Sequence, residues 1–167
     1  MRLGRRERPP VELAAGERAL AWAEVVDGGG WVVGTRDALY LPSGRLPWEQ
    51  VEAADWDDDG ERLRVSEVGV FGEERPRHLL GLARRDADTH RLLQLVRERV
   101  TASVLMVRQV PVTGRQGLRV IGRRAPSGTS PIQWFYDYDP GIDPADPVVR
   151  AAAETALDAA RADVGEG

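Results

Sequence analysis

The sequence predicts a mainly β chain of the α+β class: a small antiparallel β domain followed by a helix, a three-stranded β extension and a C-terminal helix. Three observations carry this. Apolar residues alternate through Trp31 and Val33 and again through Leu39 and Leu41, the two-residue period of a half-buried strand. Short apolar runs recur up to residue 83, separated by Gly-, Asp- and Pro-rich breaks. Residues 86–102 and 147–164 instead place apolar side chains three and four apart, as amphipathic helices do.

Strand candidates cover residues 18–26, 30–35, 38–41, 45–56, 62–67 and 77–83. Asp27-Gly28-Gly29-Gly30 reads as the first hairpin turn, because glycine accepts positive φ without steric cost. Thr35-Arg36-Asp37 and Pro42-Ser43-Gly44 make the next two connections. Asp57-Asp58-Asp59-Gly60 turns the chain between Trp56 and Leu63, and Glu73-Glu74-Arg75-Pro76 breaks it before the last strand. Trp48 follows Pro47 at a strand start and alternates with Gln50, so it is expected in the core. Asp86 or Asp88 caps a helix whose Leu92, Leu93, Val96, Val100 and Val104 form one apolar stripe. Its β-branched end turns helix into strand near Ser103. Strands at 105–112, 117–123 and 132–138 follow, joined by turns at Thr113-Gly114 and Pro126-Ser127-Gly128. Asp146 caps and Pro147 opens the final helix. Its stripe of Val149, Ala152, Ala153, Ala156, Leu157 and Ala160 permits close docking on a sheet.

Several of these residues also form a recurring pattern. Gly16-Glu17 precedes the first strand, and a strand ending in Thr35 runs into Ala38-Leu39-Tyr40-Leu41. Leu46-Pro47-Trp48-Glu49-Gln50-Val51 then spells apolar, Pro, aromatic, acid, any residue, aliphatic. In these features residues 11–104 resemble bacterial pleckstrin-homology-like (PH-like) domains. The resemblance implies an antiparallel β barrel closed by a helix. Residues 1–10 would then be a flexible basic arm, and 105–167 a β-meander and helix packed on the barrel. Eukaryotic PH domains hold phosphoinositides through basic residues in the loop between the first two strands. Here that loop is Asp27-Gly28-Gly29-Gly30, so lipid headgroup binding does not carry over.

At 167 residues, 42% hydrophobic and 30% charged, the chain can bury a substantial core. No apolar run approaches the roughly 18 residues that a membrane span needs. Arg2, Arg5, Arg6 and Arg8 have no apolar region behind them, unlike a secretory signal. Without cysteine there is no disulfide, thiolate metal site or cysteine nucleophile; the cytoplasm is the expected compartment. All 23 side-chain cations beyond histidine are arginine, which with abundant Ala and Gly points to GC-rich coding rather than function. The net charge of −4 is unevenly spread: residues 49–61 hold seven acids and no arginine, whereas 84–124 hold ten arginines. Overall acidity argues against general nucleic-acid or anionic-membrane affinity.

No catalytic set emerges. Asp55-x-Asp57-x-Asp59-Gly60 opens like an EF-hand loop, but the twelfth position is Ser66 instead of Glu, and the flanks read as strands. Asp137, Asp139 and Asp143 are equally incomplete and better explained by turns. His78 and His90 lack metal-ligand spacing, the serines lack a nucleophile-elbow setting, and the glycines form no phosphate loop. Neither a cofactor, nor a metal, nor enzymatic activity is expected. Arg84, Arg85, Arg123 and Arg124 end strands and are the candidate anion contacts, since guanidinium forks grip phosphate or carboxylate. Trp134-Phe135-Tyr136 must straddle both faces of a strand and are the candidate interface aromatics. The expected function is a non-enzymatic scaffold that binds a protein or peptide partner through strand edges. The alternative is a small-ligand or anion-binding module using the four arginines; an enzyme of unrecognised class has the least support.

Overall fold

The computed structural model describes residues 7–69, 76–83 and 86–166. Ten strands and two α-helices lie among them, in three antiparallel sheets. The chain falls into two compact units, Met1–Ala102 with Ala125–Ser127, and Ser103–Arg124 with Gly128–Gly167.

In the first unit, β1 (Ala21–Glu24), β2 (Trp31–Gly34), β3 (Ala38–Leu41) and β4 (Gly44–Pro47) form a sheet in chain order. β5 (Val51–Asp57), β6 (Arg62–Glu67) and β7 (Arg77–Gly81) form a second. Among the described residues these seven strands make two separate sheets and no closed barrel. One bridge, Val25 to Leu82, links the ends of β1 and β7, and the Ala83 amide donates to the Glu24 carbonyl at 2.8 Å. Between the sheets Val32, Leu39, Trp48, Val51, Leu63 and Val65 meet Leu92 and Val96 of α1 (Ala87–Ser103) in one core. Leu95 joins this face of α1.

The other face of the first sheet is also covered. Val33, Ala38 and Tyr40 pack under Val11, Leu13, Ala19, Trp22 and Trp31. Double coverage explains why all four residues of β3 are buried although its sequence alternates weakly. Of the expected basic arm, residues 1–6 lie outside the described residues, and Pro9 is buried.

The strand expected over 45–56 is broken. Trp48–Gln50 form a 3-10 turn that sends β4 and β5 into different sheets. Pro47, with φ −55°, starts that turn. Trp48 is fully buried, as expected, but from this turn and not from a strand: its indole Nε1 donates to the Thr35 carbonyl at 3.1 Å. Thr35 is itself buried, and its hydroxyl oxygen accepts from the Asp37 and Ala38 amides at 3.2 and 3.0 Å. It also lies 2.9 Å from Glu17 Oε1, to which it donates.

Glu17 is the hub. Its side chain is 4% exposed and accepts from Thr35, from the Tyr40 phenol, and from Arg45 through Nε at 3.0 Å and a terminal nitrogen at 3.1 Å. Tyr40 in turn accepts from the Ala14 amide at 2.8 Å. Burial alone would push the Glu17 carboxyl up. The hydrogen bonds from Arg45, Tyr40 and Thr35 outweigh it and hold the group below its ordinary range. The same pairing raises Arg45, while burial and the bond to Glu17 raise Tyr40.

In the second unit, β8 (Val104–Thr113), β9 (Gln116–Arg123) and β10 (Gln133–Tyr138) form a meander with β9 central. α2 (Pro147–Asp163) lies on β8 and β9. Asp146 caps it, accepting from the Val148 amide at 2.8 Å, with Pro147 in the first turn. Val149, Ala153, Ala156 and Ala160 are buried against Leu118 and Val120, with Met106, Val110, Trp134 and Tyr136 around them. β8 alternates half-buried and exposed along its whole length, so one sheet face carries this core.

Two expectations follow. The folded Glu17 lies below the ordinary glutamate value of 4.5, so its stabilisation is complete above that pH and is lost as pH falls through the folded value. Chemical denaturation from pH 7 to 3 should therefore show a steeper acid loss in the wild type than in Glu17→Gln; parallel curves would remove the hub. Secondly, a Cβ on Gly117 would stand 1.9 Å from the Val110 carbonyl oxygen. Gly117→Ala should cost about 1–3 kcal/mol or more of stability as β8 and β9 separate locally, and an unchanged melting temperature would contradict that packing.

Candidate functional site

A concavity of the first unit lies between β5 and α1. Ala54, Asp55 and Trp56 of β5 and Asp58 of the following turn form one wall; Thr89, His90, Leu93 and Arg97 of α1 form the other. It encloses about 480 Å³, within the range of ligand clefts. Thr89, Leu93 and Arg97 are four residues apart and so make a single row along α1. Leu92 and Val96, on the adjacent stripe, hold that helix to the core. The arrangement follows from ordinary amphipathic spacing, with the polar row displaced just off the apolar one.

The groove has an apolar floor and a mixed rim. Ala54, Trp56 and Leu93 are partly buried against the core, while Asp55, Asp58, His90 and Arg97 are exposed. Among the described strands β5 is at the edge of its sheet, with β6 as its neighbour. The N-terminus of α1 is fixed by Asp86, whose Oδ1 accepts from the Asp88 and Thr89 amides at 3.1 Å each. That cap places Thr89 and His90 at the groove's end.

A depression of about 500 Å³ at the β8–β9 hairpin is comparable in size but built from turn chemistry. There Asp139 accepts from the Gly117 amide at 2.8 Å, and Arg119 is paired with Asp137. These bonds also account for two of the three acids in the second acidic loop; the third, Asp143, accepts from the Ala145 amide at 2.9 Å. In the first acidic loop Asp57 accepts from the Gly60 amide at 3.3 Å, closing the β5–β6 turn. His78 Nε2 lies 2.7 Å from Glu67 Oε2, within hydrogen-bonding distance. Among the described residues no three His, Cys, Asp or Glu side chains are grouped closely enough to hold a metal. Among the described residues no helix is long and apolar enough to cross a membrane.

The arginines singled out from the sequence are not brought together by what is described. Arg84 and Arg85 lie outside the described residues. Arg123 is 6% exposed, its guanidinium donates to the Ser103 hydroxyl at 3.4 Å, and burial pushes its pKa down. Arg124 is half-buried, and its amide donates to the Ser103 carbonyl at 3.0 Å. The aromatic triplet divides by the pleat. Trp134 and Tyr136 lie on the α2 side, Trp134 closely over Gly122 and donating to Glu166 at 3.0 Å. Phe135 is on the opposite face, half-buried, in a cross-strand row with Ile121 and Val107.

The groove was missed in the sequence because its walls are 35 residues apart, from Ala54 to Thr89. Only the apolar spacing of α1 hinted at which helix face would be free. No known protein family, curated protein or solved structure matches the chain.

Replacing Asp86 by Ala removes the cap beneath Thr89 and His90. The change should lower stability by about 1 kcal/mol, read as a shift in the denaturant midpoint. An unchanged midpoint would mean that Asp86 does not anchor this end of the groove.

Proposed function

We propose that the first unit is a PH-like, non-enzymatic module that binds an extended peptide segment of a protein partner in the β5–α1 groove. The observation that carries this reading is the groove's construction: an edge strand forms one wall and a helix row the other. An edge strand offers main-chain pairing to an incoming strand, and neighbouring side chains supply selectivity. Trp56 and Leu93 would take an apolar side chain, with Asp55, Asp58, His90 and Arg97 reading charge around it. Support for the PH-like assignment comes from the order of four strands, three strands and a helix, from the Val25–Leu82 bridge, and from the position of Glu17, Thr35 and Trp48.

The test is selection of peptides from a displayed random library, followed by fluorescence anisotropy. Asp55→Arg and Arg97→Glu, both exposed, should each weaken the selected peptides about fivefold, and amide shifts should concentrate on β5 near Ala54 and Asp55. Peptides whose affinity neither substitution changes would place binding elsewhere and overturn the assignment of the groove.

A further inference from the structure

The outer face of the β5–β6–β7 sheet carries a cluster that linear reading of the sequence does not reveal. Arg62 and Arg64 alternate with the buried Leu63 and Val65 and therefore point away from the core. Across the ladder, Leu79 is the direct partner of Arg64, and Arg77 stands two residues before it on β7. Arg62, Arg64, Arg77 and Leu79, with Asp57, line one depression of about 390 Å³. Leu79 is 55% exposed within it.

The charges there do not balance. Among the described residues Asp57 is the sole carboxylate lining the depression. One of its oxygens accepts from the Gly60 amide, and the other lies 3.7 Å from Arg64. Asp55, the cross-strand partner of Arg64, adds a second acid beside the same arginine. Among the described residues neither Arg62 nor Arg77 has an ion-pair partner. Asp57 is the cross-strand partner of Arg62, and the Arg62 Nε, its terminal nitrogen and an Asp57 carboxylate oxygen all lie around Gly60. Among the described residues, three guanidinium groups and one carboxylate thus face one depression beside an exposed aliphatic side chain.

We propose that this depression is an oxyanion site for a phosphate monoester. Arg62 and Arg77 would take the dianion and Leu79 the organic group that bears it. Guanidinium forks match phosphate oxygens two at a time. A phosphomonoester carries nearly two negative charges at neutral pH, which matches the excess of three arginines over the one carboxylate among the described lining residues. The proposal does not rest on the peptide reading of the β5–α1 groove, and Asp55 borders both sites.

The test is titration of the full chain at pH 7.5 and low ionic strength with inorganic phosphate, phenyl phosphate and acetate, followed by NMR of the arginine Nε–H resonances. Saturable shifts of Arg62 and Arg77 are expected, strongest for phenyl phosphate and weakest for acetate. Arg62→Gln and Arg77→Gln should each weaken phenyl phosphate about fivefold, and Arg91→Gln on α1, exposed and outside the depression, should leave it unchanged. Leu79→Ser should bring phenyl phosphate down to the affinity of inorganic phosphate. Equal wild-type affinity for those two probes would assign the site to free phosphate rather than to a phosphorylated group. Acetate binding as tight as phosphate would overturn the proposal, as would phosphate affinity unchanged in Arg62→Gln/Arg77→Gln. Circular dichroism melting of each variant separates loss of the site from loss of the fold.

Discussion

A carboxylate placed almost out of solvent organises the first unit. Glu17 stands before β1, yet its acceptors are filled from β3, β4 and the β2–β3 turn. Removing a charge from water costs several kcal/mol unless partners replace the lost hydration. Here Thr35, Tyr40 and Arg45 do so together. Thr35 passes the constraint inward, because its carbonyl receives the Trp48 indole while its hydroxyl closes the turn to Ala38. The chain entering β1, the turn at Thr35 and the break at Trp48 are therefore one polar assembly roofing an apolar core. A fault at any one of these positions leaves a buried polar atom at another.

This explains which parts of the fold were legible. The bounds of β3 and β6 agree with the sequence reading to the residue: Asp37 and Pro42 flank the first, and Gly60 and Gly69 lie two residues beyond the ends of the second. The α2 cap was equally plain in Asp146-Pro147. What the alternation pattern concealed was the break inside 45–56. Trp48 is apolar in an apolar-rich run, and nothing in the period shows that its ring is drawn to a carbonyl thirteen residues earlier. Gly16-Glu17 was readable as a pattern; its role as a shared acceptor needed coordinates, since its partners come from 18 to 28 residues away.

Function was less legible for a related reason. Arginines adjacent in sequence, such as Arg123 and Arg124, drew attention as pairs, yet Arg123 is buried inside its unit. Arg62, Arg64 and Arg77 are scattered in sequence and become neighbours only through the β6–β7 register. The aromatic triplet was read correctly as straddling a strand. The pleat then sends Trp134 and Tyr136 toward the alanine stripe of α2, leaving Phe135 for the other face. Chemistry that depends on cross-strand register is invisible to spacing arguments along one strand.

The acids of β5 bear on self-association. A second copy adding antiparallel to the same edge would bring Asp55 and Asp57 toward their own counterparts, with Asp58 and Asp59 close behind in the turn. Like charges set opposite one another destabilise a strand pair, and an isologous contact repeats the penalty on both sides of its two-fold axis. A neutral or basic strand meets no such barrier. The same carboxylates that shape the rim thus discourage edge-to-edge aggregation, letting an open edge persist without being consumed by its own kind.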